Sequence, residues 1–292
     1  MPELPEVETV ARGVDAHASG RRIVEVWFGS RPQTFKTPPR RQASALPGRE
    51  FLAVRRMGKH IVCDLGPQPA AESRQIRSRP ADPNASPSAQ WIVHLGMTGR
   101  LLTAAPNAPI VPHTHVRLLL TGDTELRFVD PRRFGRIEFR ELDRTPAFEP
   151  PGVEPLAIGP QEFIALFRGR KLSIKAALLN QSLLSGVGNI YTDESLFRAG
   201  IRPGRRAGDL THSELERLRR ALRRVLLQAI RLGGSSISDY VDANGDSGFF
   251  QFEHCVYQRT GQPCRRCGTP IRRVELAGRG THFCPQCQKR QS

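Results

Sequence analysis

CRRCGTPIRRVELAGRGTHFCPQC, residues 264–287, settles how the end of the chain folds and sets the class of the whole. Cys264 and Cys267 form one C-x2-C pair, Cys284 and Cys287 form another, and sixteen residues lie between them. Each pair can aim two thiolates at one ion, and the spacer is long enough for a hairpin that brings the pairs together. That is the spacing of a four-thiolate zinc site, with one structural ion and no open coordination position. Disulfides are the alternative, and nothing in the sequence marks export. The two remaining cysteines, Cys63 in an apolar strand-like run and Cys255 beside aromatics, read as buried spectators.

Upstream of this module the hydrophobic period is helical. Residues 161–168, 174–184, 192–199 and 211–232 carry apolar positions three and four apart. In the last, Leu215, Leu218, Leu222, Val225, Leu226 and Ile230 make the core stripe, and the arginines lying off it read as a solvated face. Between about 22 and 140 the pattern is instead one of short β-rich runs such as HIVCDL, QWIVHL and HVRLLL, which predicts an antiparallel β domain. A helix over 5–18, with Pro5 in its first turn, leads into it.

Residues 66–90, rich in Pro, Ala and Ser, read as a flexible excursion between two strands. The Pro-rich stretch 145–160 reads as a linker. The expected organisation is therefore a β domain over 1–144, the linker, a helical domain over 161–250 and the cysteine module over 251–292.

The 292 residues hold 44 Lys plus Arg against 28 Asp plus Glu, a formal charge of +16, which favours a nucleic-acid partner. With 39 arginines and 5 lysines, part of that excess reads as compositional drift toward arginine. No apolar run is long enough to span a membrane, and the first twenty residues lack the apolar core of a signal peptide, so a soluble, cytoplasmic protein is expected.

The chain starts Met-Pro-Glu. Removal of Met before a small residue would leave Pro2 as a secondary amine, and N-terminal amines titrate near pH ~8, so they supply neutral nucleophile far better than lysine. Glu3 and Glu6 lie close by to move protons. The plainer alternative is that Pro2 resists degradation and the glutamates cap a helix.

MPELPE at 1–6, DPRRFG at 130–135, GVGNIYTDESL at 186–196 and the terminal cysteine spacing, taken together, resemble formamidopyrimidine-DNA glycosylase over nearly the whole chain. The resemblance implies an α+β fold. An N-terminal antiparallel β-sandwich with a leading helix would precede a helical domain with a helix-two-turns-helix element and a four-cysteine zinc finger. It implies excision of oxidised purines (8-oxoguanine, formamidopyrimidines) from damaged double-stranded DNA through a proline Schiff base, then strand cleavage by β,δ-elimination.

By the same resemblance, Pro2 is the nucleophile, Glu3 the acid that protonates sugar or base, and Glu6 its support. Lys59 in RRMGKHIV moves protons in β-elimination, and Arg279 between the cysteine pairs serves δ-elimination. Met97, Arg132 and Phe134 fill the void left by a flipped nucleotide. His94, His113, Arg133, Arg170, Lys175 and Asn189 grip phosphates. Residues 242–251 match the loop over the flipped base, with Asp246 where some members carry lysine, a departure that bears on base preference. No nucleotide cofactor is implied, and a monomer is expected. Two other readings stay open: an endonuclease VIII-type enzyme for oxidised pyrimidines, and a non-catalytic zinc-ribbon DNA-binding protein.

Overall fold

The computed structural model describes residues 1–31, 35–69, 86–237 and 239–289. Most of the expected excursion, residues 70–85, lies outside them. The chain divides into two compact units. The first holds Met1–Pro2, Glu6–Glu149 and Ser235–Gly248, and the second holds Glu3–Pro5, Pro150–Gly234 and Phe249–Ser292.

In the first unit, helix α1 (Leu4–Ala18) precedes eight strands: β1 (Ile23–Phe28), β2 (Phe51–Met57), β3 (His60–Leu65), β4 (Ala89–His94), β5 (Arg100–Ala104), β6 (Thr114–Leu120), β7 (Thr124–Val129) and β8 (Arg136–Glu141). They make two antiparallel sheets, ordered β1-β6-β7-β5 and β2-β3-β4-β8. A short helix, α2 (Pro39–Ala45), links β1 to β2.

Strand alternation explains the packing. Ile61, Cys63 and Leu65 of β3 and Trp91 and Val93 of β4 share one buried core with Leu118 of β6 and Phe128 of β7, which is the expected sandwich. Val62 and Ile92 point the other way and are covered by Phe148. The leading helix turns Val7, Val10, Ala11 and Val14 onto the same core. Cys63 is fully buried, and burial pushes its thiol far above the ordinary range, so it is inert.

The second unit contains α3 (Pro160–Phe167), α4 (Ile174–Leu179), α5 (Asn189–Ala199) and α6 (His212–Arg231), then the hairpin of β9 (Arg272–Leu276) and β10 (Arg279–Phe283). The period over 174–184 continues past the true end of α4, because the Asn180 side chain accepts the Ser182 N–H and turns the chain. A capping box of Thr211 and Glu214 starts α6. Among the described residues, no helix is long and apolar enough to cross a membrane.

The loop that follows α6 packs with the sandwich, and one expectation about a cysteine is corrected. Residues 235–248 group with the first unit. The reason is packing: Ala243 is fully buried in that unit's core, and its carbonyl accepts the Thr103 N–H of β5 at 2.8 Å. Cys255 is only half-buried, because its neighbour Val256 takes the core position.

Candidate functional site

A cleft of about 440 Å³ in the first unit is lined by Met1, Lys36, His60, His94, Met97, Arg133, Phe134 and Arg136 among others. Met97 and Phe134 are large apolar side chains left 42% and 51% exposed, an unfavourable state unless something covers them. The Arg132 guanidinium lies over the Phe134 ring, 5.0 Å from its centroid. Met1 is 53% exposed at this cleft, and Pro2 behind it is buried.

Two turns carry these side chains, and one residue not foreseen from sequence joins them. Asp130 is fully buried. One carboxylate oxygen accepts the Thr98 hydroxyl at 2.6 Å and the other the Gly135 N–H at 2.7 Å, which ties the Met97 turn to the Phe134 turn. Gly96 completes the fit: it sits at φ 65°, and a Cβ there would come 2.6 Å from the Phe134 carbonyl carbon. His113 is exposed, and its carbonyl accepts the Asp130 N–H at 3.0 Å, so it is held against the same turn.

Lys59 is buried in the two-residue turn between β2 and β3. His60 and His94 face each other across β3 and β4 with ring centroids 4.9 Å apart. His94 Nδ1 accepts the Gly96 N–H at 3.1 Å, so a neutral His94 carries its proton on Nε2. Burial pulls both imidazoles down to about 4, helped by the charges of Lys59 and Arg136 at His94 and by His94 and Lys36 at His60.

The unfolded chain therefore takes up protons first as the pH falls. Stability from this pair is full above pH ~6.5 and drains away down to pH ~4. NMR titration of the two rings should give midpoints near 4; ordinary midpoints near 6.5 would show that the pair is not buried as described.

Glu6, expected to support Glu3, is buried in the first unit. Its carboxylate accepts the Ser235 N–H at 2.8 Å and its carbonyl the Tyr240 hydroxyl at 3.4 Å, so it anchors the 235–248 loop. Asp246 is exposed on that loop, with its N–H donating to Asp242.

In the second unit, Glu3 is buried against the start of α5, where its Oε1 accepts the Ile190 N–H at 3.1 Å. A helix N-terminus favours a carboxylate there. Gly188 makes room for it: a Cβ at 188 would lie 2.5 and 2.6 Å from the two Glu3 oxygens. Asn189 donates to the Gly280 carbonyl at 3.0 Å, which steadies the hairpin end where Arg279 is exposed.

Lys175, expected to grip phosphate, is fully buried. Its ammonium pairs with Asp193 at 2.7 Å and donates to the Gly280 carbonyl at 3.1 Å. Burial lowers its pKa, and the Asp193 carboxylate opposes that shift. The carboxylate that draws it inward lies eighteen positions on, beyond the reach of any local pattern. Asp193 also accepts the His282 N–H, so it braces the same hairpin. Arg170 is half-buried between α3 and α4, and its guanidinium donates to the Leu166 carbonyl.

Cys264, Cys267, Cys284 and Cys287 are free thiols whose sulfurs all lie within 4.8 Å of one another. Sulfur–sulfur distances of 3.9, 3.4 and 3.5 Å suit a tetrahedron of zinc-bound sulfurs, and backbone N–H groups of Arg266 and Cys287 point at the sulfurs of Cys264 and Cys284. The residues fit zinc.

Comparison with known proteins places three family regions on the chain. Residues 1–137 match the formamidopyrimidine-DNA glycosylase N-terminal domain, 152–241 the H2TH domain of that protein, and 261–290 a zinc finger found in FPG and IleRS. The formamidopyrimidine-DNA glycosylase of Solibacter usitatus is 44% identical over 290 residues, covering 99% of this chain and 100% of the relative. The Lactococcus lactis Fpg, solved with DNA containing an abasic site, has a TM-score of 0.83 at 32% identity and covers 99% of this chain and 100% of its own. A structure of MutM with carbocyclic 8-oxo-G DNA has a TM-score of 0.83 at 33% identity, with the same coverage.

Proposed function

The chain belongs to the formamidopyrimidine-DNA glycosylase family and is a DNA glycosylase with abasic-site lyase activity, and from that premise we propose that it excises oxidised purines through the amine of Pro2. The non-catalytic zinc-ribbon reading falls with that membership. One observation carries the proposal: Met1 lines the cleft that also presents Met97 and Phe134, with Pro2 directly behind it. Loss of Met1 turns the Pro2 nitrogen into a secondary amine at that wall.

N-terminal amines titrate near pH ~8, so a useful neutral fraction exists at neutral pH. The amine attacks C1′ of the damaged nucleotide; the glycosidic bond breaks and the base leaves with a proton. The C1′–O4′ bond then opens as O4′ takes up a proton, which leaves an iminium at C1′; loss of a C2′ proton expels the 3′ phosphate by β-elimination, and loss of the C4′ proton then expels the 5′ phosphate by δ-elimination. Glu3, next in the chain, supplies the proton for base departure. Lys59 and Arg279 serve the two eliminations, each beside the phosphate that leaves.

Met97, Arg132 and Phe134 fill the gap left by the flipped nucleotide. In the first unit, His94, through its Nε2–H, His113 and Arg133 hold phosphates; in the second, Asn189 and Arg170 do so. Lys175 acts indirectly by holding Gly280. The zinc ion crosslinks the hairpin that carries Arg279. The enzyme works in the cytoplasm as a monomer on damaged duplex DNA and uses no nucleotide cofactor.

Two experiments test this reading. Gly188→Ala should lower stability by about 1–3 kcal/mol through overpacking and, because the Glu3 carboxylate must move, slow base excision by roughly 100-fold. A denaturation midpoint paired with single-turnover excision checks both, and normal excision would detach Glu3 from the chemistry. For the substrate class, 8-oxoguanine paired with cytosine should be excised in preference to thymine glycol. The reverse preference would favour the endonuclease VIII-type alternative.

A further inference from the structure

The solvated-face reading of the α6 arginines leaves a groove unexplained. It has a volume of about 800 Å³ and is lined by Arg198 of α5, Arg217, Arg220 and Arg224 of α6, and Arg265 and Arg266 of the first cysteine turn. Among the described residues that line it the one acid is Glu253, and Gln228 donates to that carboxylate at 3.1 Å. The adjoining cavity continues along α6 with Arg219, Arg223 and Arg231 and no acid among its lining residues.

Glu216 on α6 lies 3.7 Å from Arg220 and 2.9 Å from Arg219, which still leaves the groove with an excess of positive charge whose mutual repulsion an anion would relieve. The groove is also held in shape. The buried Glu194 carboxylate accepts the N–H groups of Cys255, Val256 and Tyr257, which fixes that segment to α5. The Arg266 guanidinium lies 4.8 Å from the Phe197 ring centroid, and Arg217 donates to the Ala199 carbonyl at 2.7 Å. Arg198 adds a separate observation: its Nε is shielded from solvent and has no hydrogen-bond partner among the described residues. A buried donor in that state is unfavourable, and an anionic oxygen in the groove would satisfy it.

The position separates this surface from the site already described. Asn189 stands at the start of α5, whereas Arg198 stands near its end, about 13 Å along the helix axis. The shape favours nucleic acid over an acidic polypeptide. No large exposed apolar side chain lines the groove, so it lacks the aromatic or aliphatic anchor on which protein interfaces centre. Nucleic-acid interfaces, in contrast, are polar and strongly positive. Along α6, Arg217, Arg220, Arg224 and Arg231 recur on one face over about 21 Å, matching a run of about six phosphates at one per 3.4 Å of strand.

We propose that this groove is a second DNA-backbone site, which holds lesion-free duplex while the Asn189 and Arg279 face holds the lesion strand. It rests on the reading of the chain as a DNA-binding repair enzyme and goes beyond it. Such a site would let the enzyme pass between DNA segments without full release.

The test uses the full, zinc-loaded chain trapped by borohydride on a short lesion duplex, titrated with a labelled lesion-free duplex at several salt concentrations. The trapped complex should bind the second duplex. In R220Q/R224Q, whose two side chains are exposed, that binding should weaken at least about tenfold, and its log-log salt slope should fall by about 1.8. Excision of the short lesion duplex should be unchanged in this variant.

Absence of a second binding event, or equal binding by R220Q/R224Q, would overturn the proposal. Tighter binding of polyglutamate than of duplex would overturn it in favour of an acidic protein partner. If no covalent complex forms, the proline reading fails, and the same titration on the complex with unreacted lesion duplex still counts the second site.

Discussion

Glu3→Gln is expected to leave the fold intact and to slow base excision by about 100- to 10,000-fold, the usual contribution of a positioned proton donor. Glutamine keeps the Oε1 that accepts the Ile190 N–H and has nearly the volume that Gly188 leaves open, so neither a cavity nor an unpaired backbone donor results. What is lost is the transferable proton. Strand cleavage at a preformed abasic site needs no base departure and should therefore fall much less. The two rates measured side by side check this, and equal losses would assign Glu3 a general structural role.

Cys264→Ser should release the zinc and unfold the hairpin. The apolar cluster there contains Phe197, Val256 and Ile271 together with the ligands Cys264 and Cys284, too little to order the segment by burial alone. Structural zinc is worth about 10–16 kcal/mol in finger peptides, so folding of this module follows metal occupancy. Elemental analysis should fall from about one zinc per chain to well below it. Hydrogen exchange should show the β9–β10 amides unprotected, while the sandwich core, which has its own buried cluster, stays protected. Because Asn189 and Lys175 both hold Gly280, loss of the hairpin also frees Arg279, and lesion-DNA binding should weaken. Protected hairpin amides without zinc would contradict this.

What was legible in the sequence follows from the range of the interactions involved. The β-rich runs HIVCDL and QWIVHL and the helical spacing of Val7, Val10 and Val14 are local signals, and they mark two strands and a helix whose apolar residues are buried. The cysteine spacing predicted a cluster because two short turns suffice to form it.

The features that were missed depend on partners far along the chain. Lys175 carries a charge that no local pattern assigns to the interior, where Asp193, eighteen positions on, pairs with it. Gly188 reads as a flexible turn residue, whereas its lack of a side chain is required by Glu3, which lies far back in the chain. Ala243 is an ordinary residue in a polar loop, yet it carries that loop to the first unit by packing 2.7 Å from the position of a Gly13 Cβ. Asp130 could have been suspected, since an acid before Pro-Arg-Arg-Phe-Gly is well placed to accept turn N–H groups, but its link to Thr98 needs the folded sheets.

The most direct test of the central claim is borohydride trapping on an 8-oxoguanine duplex, run with the mature chain, with Pro2→Gly, and with a chain whose N-terminus is blocked by an uncleaved tag. A covalent protein–DNA complex is expected for the mature chain, little or none for Pro2→Gly, and none for the blocked chain. A complex that survives with the Pro2 nitrogen blocked would place the nucleophile elsewhere and contradict the assignment.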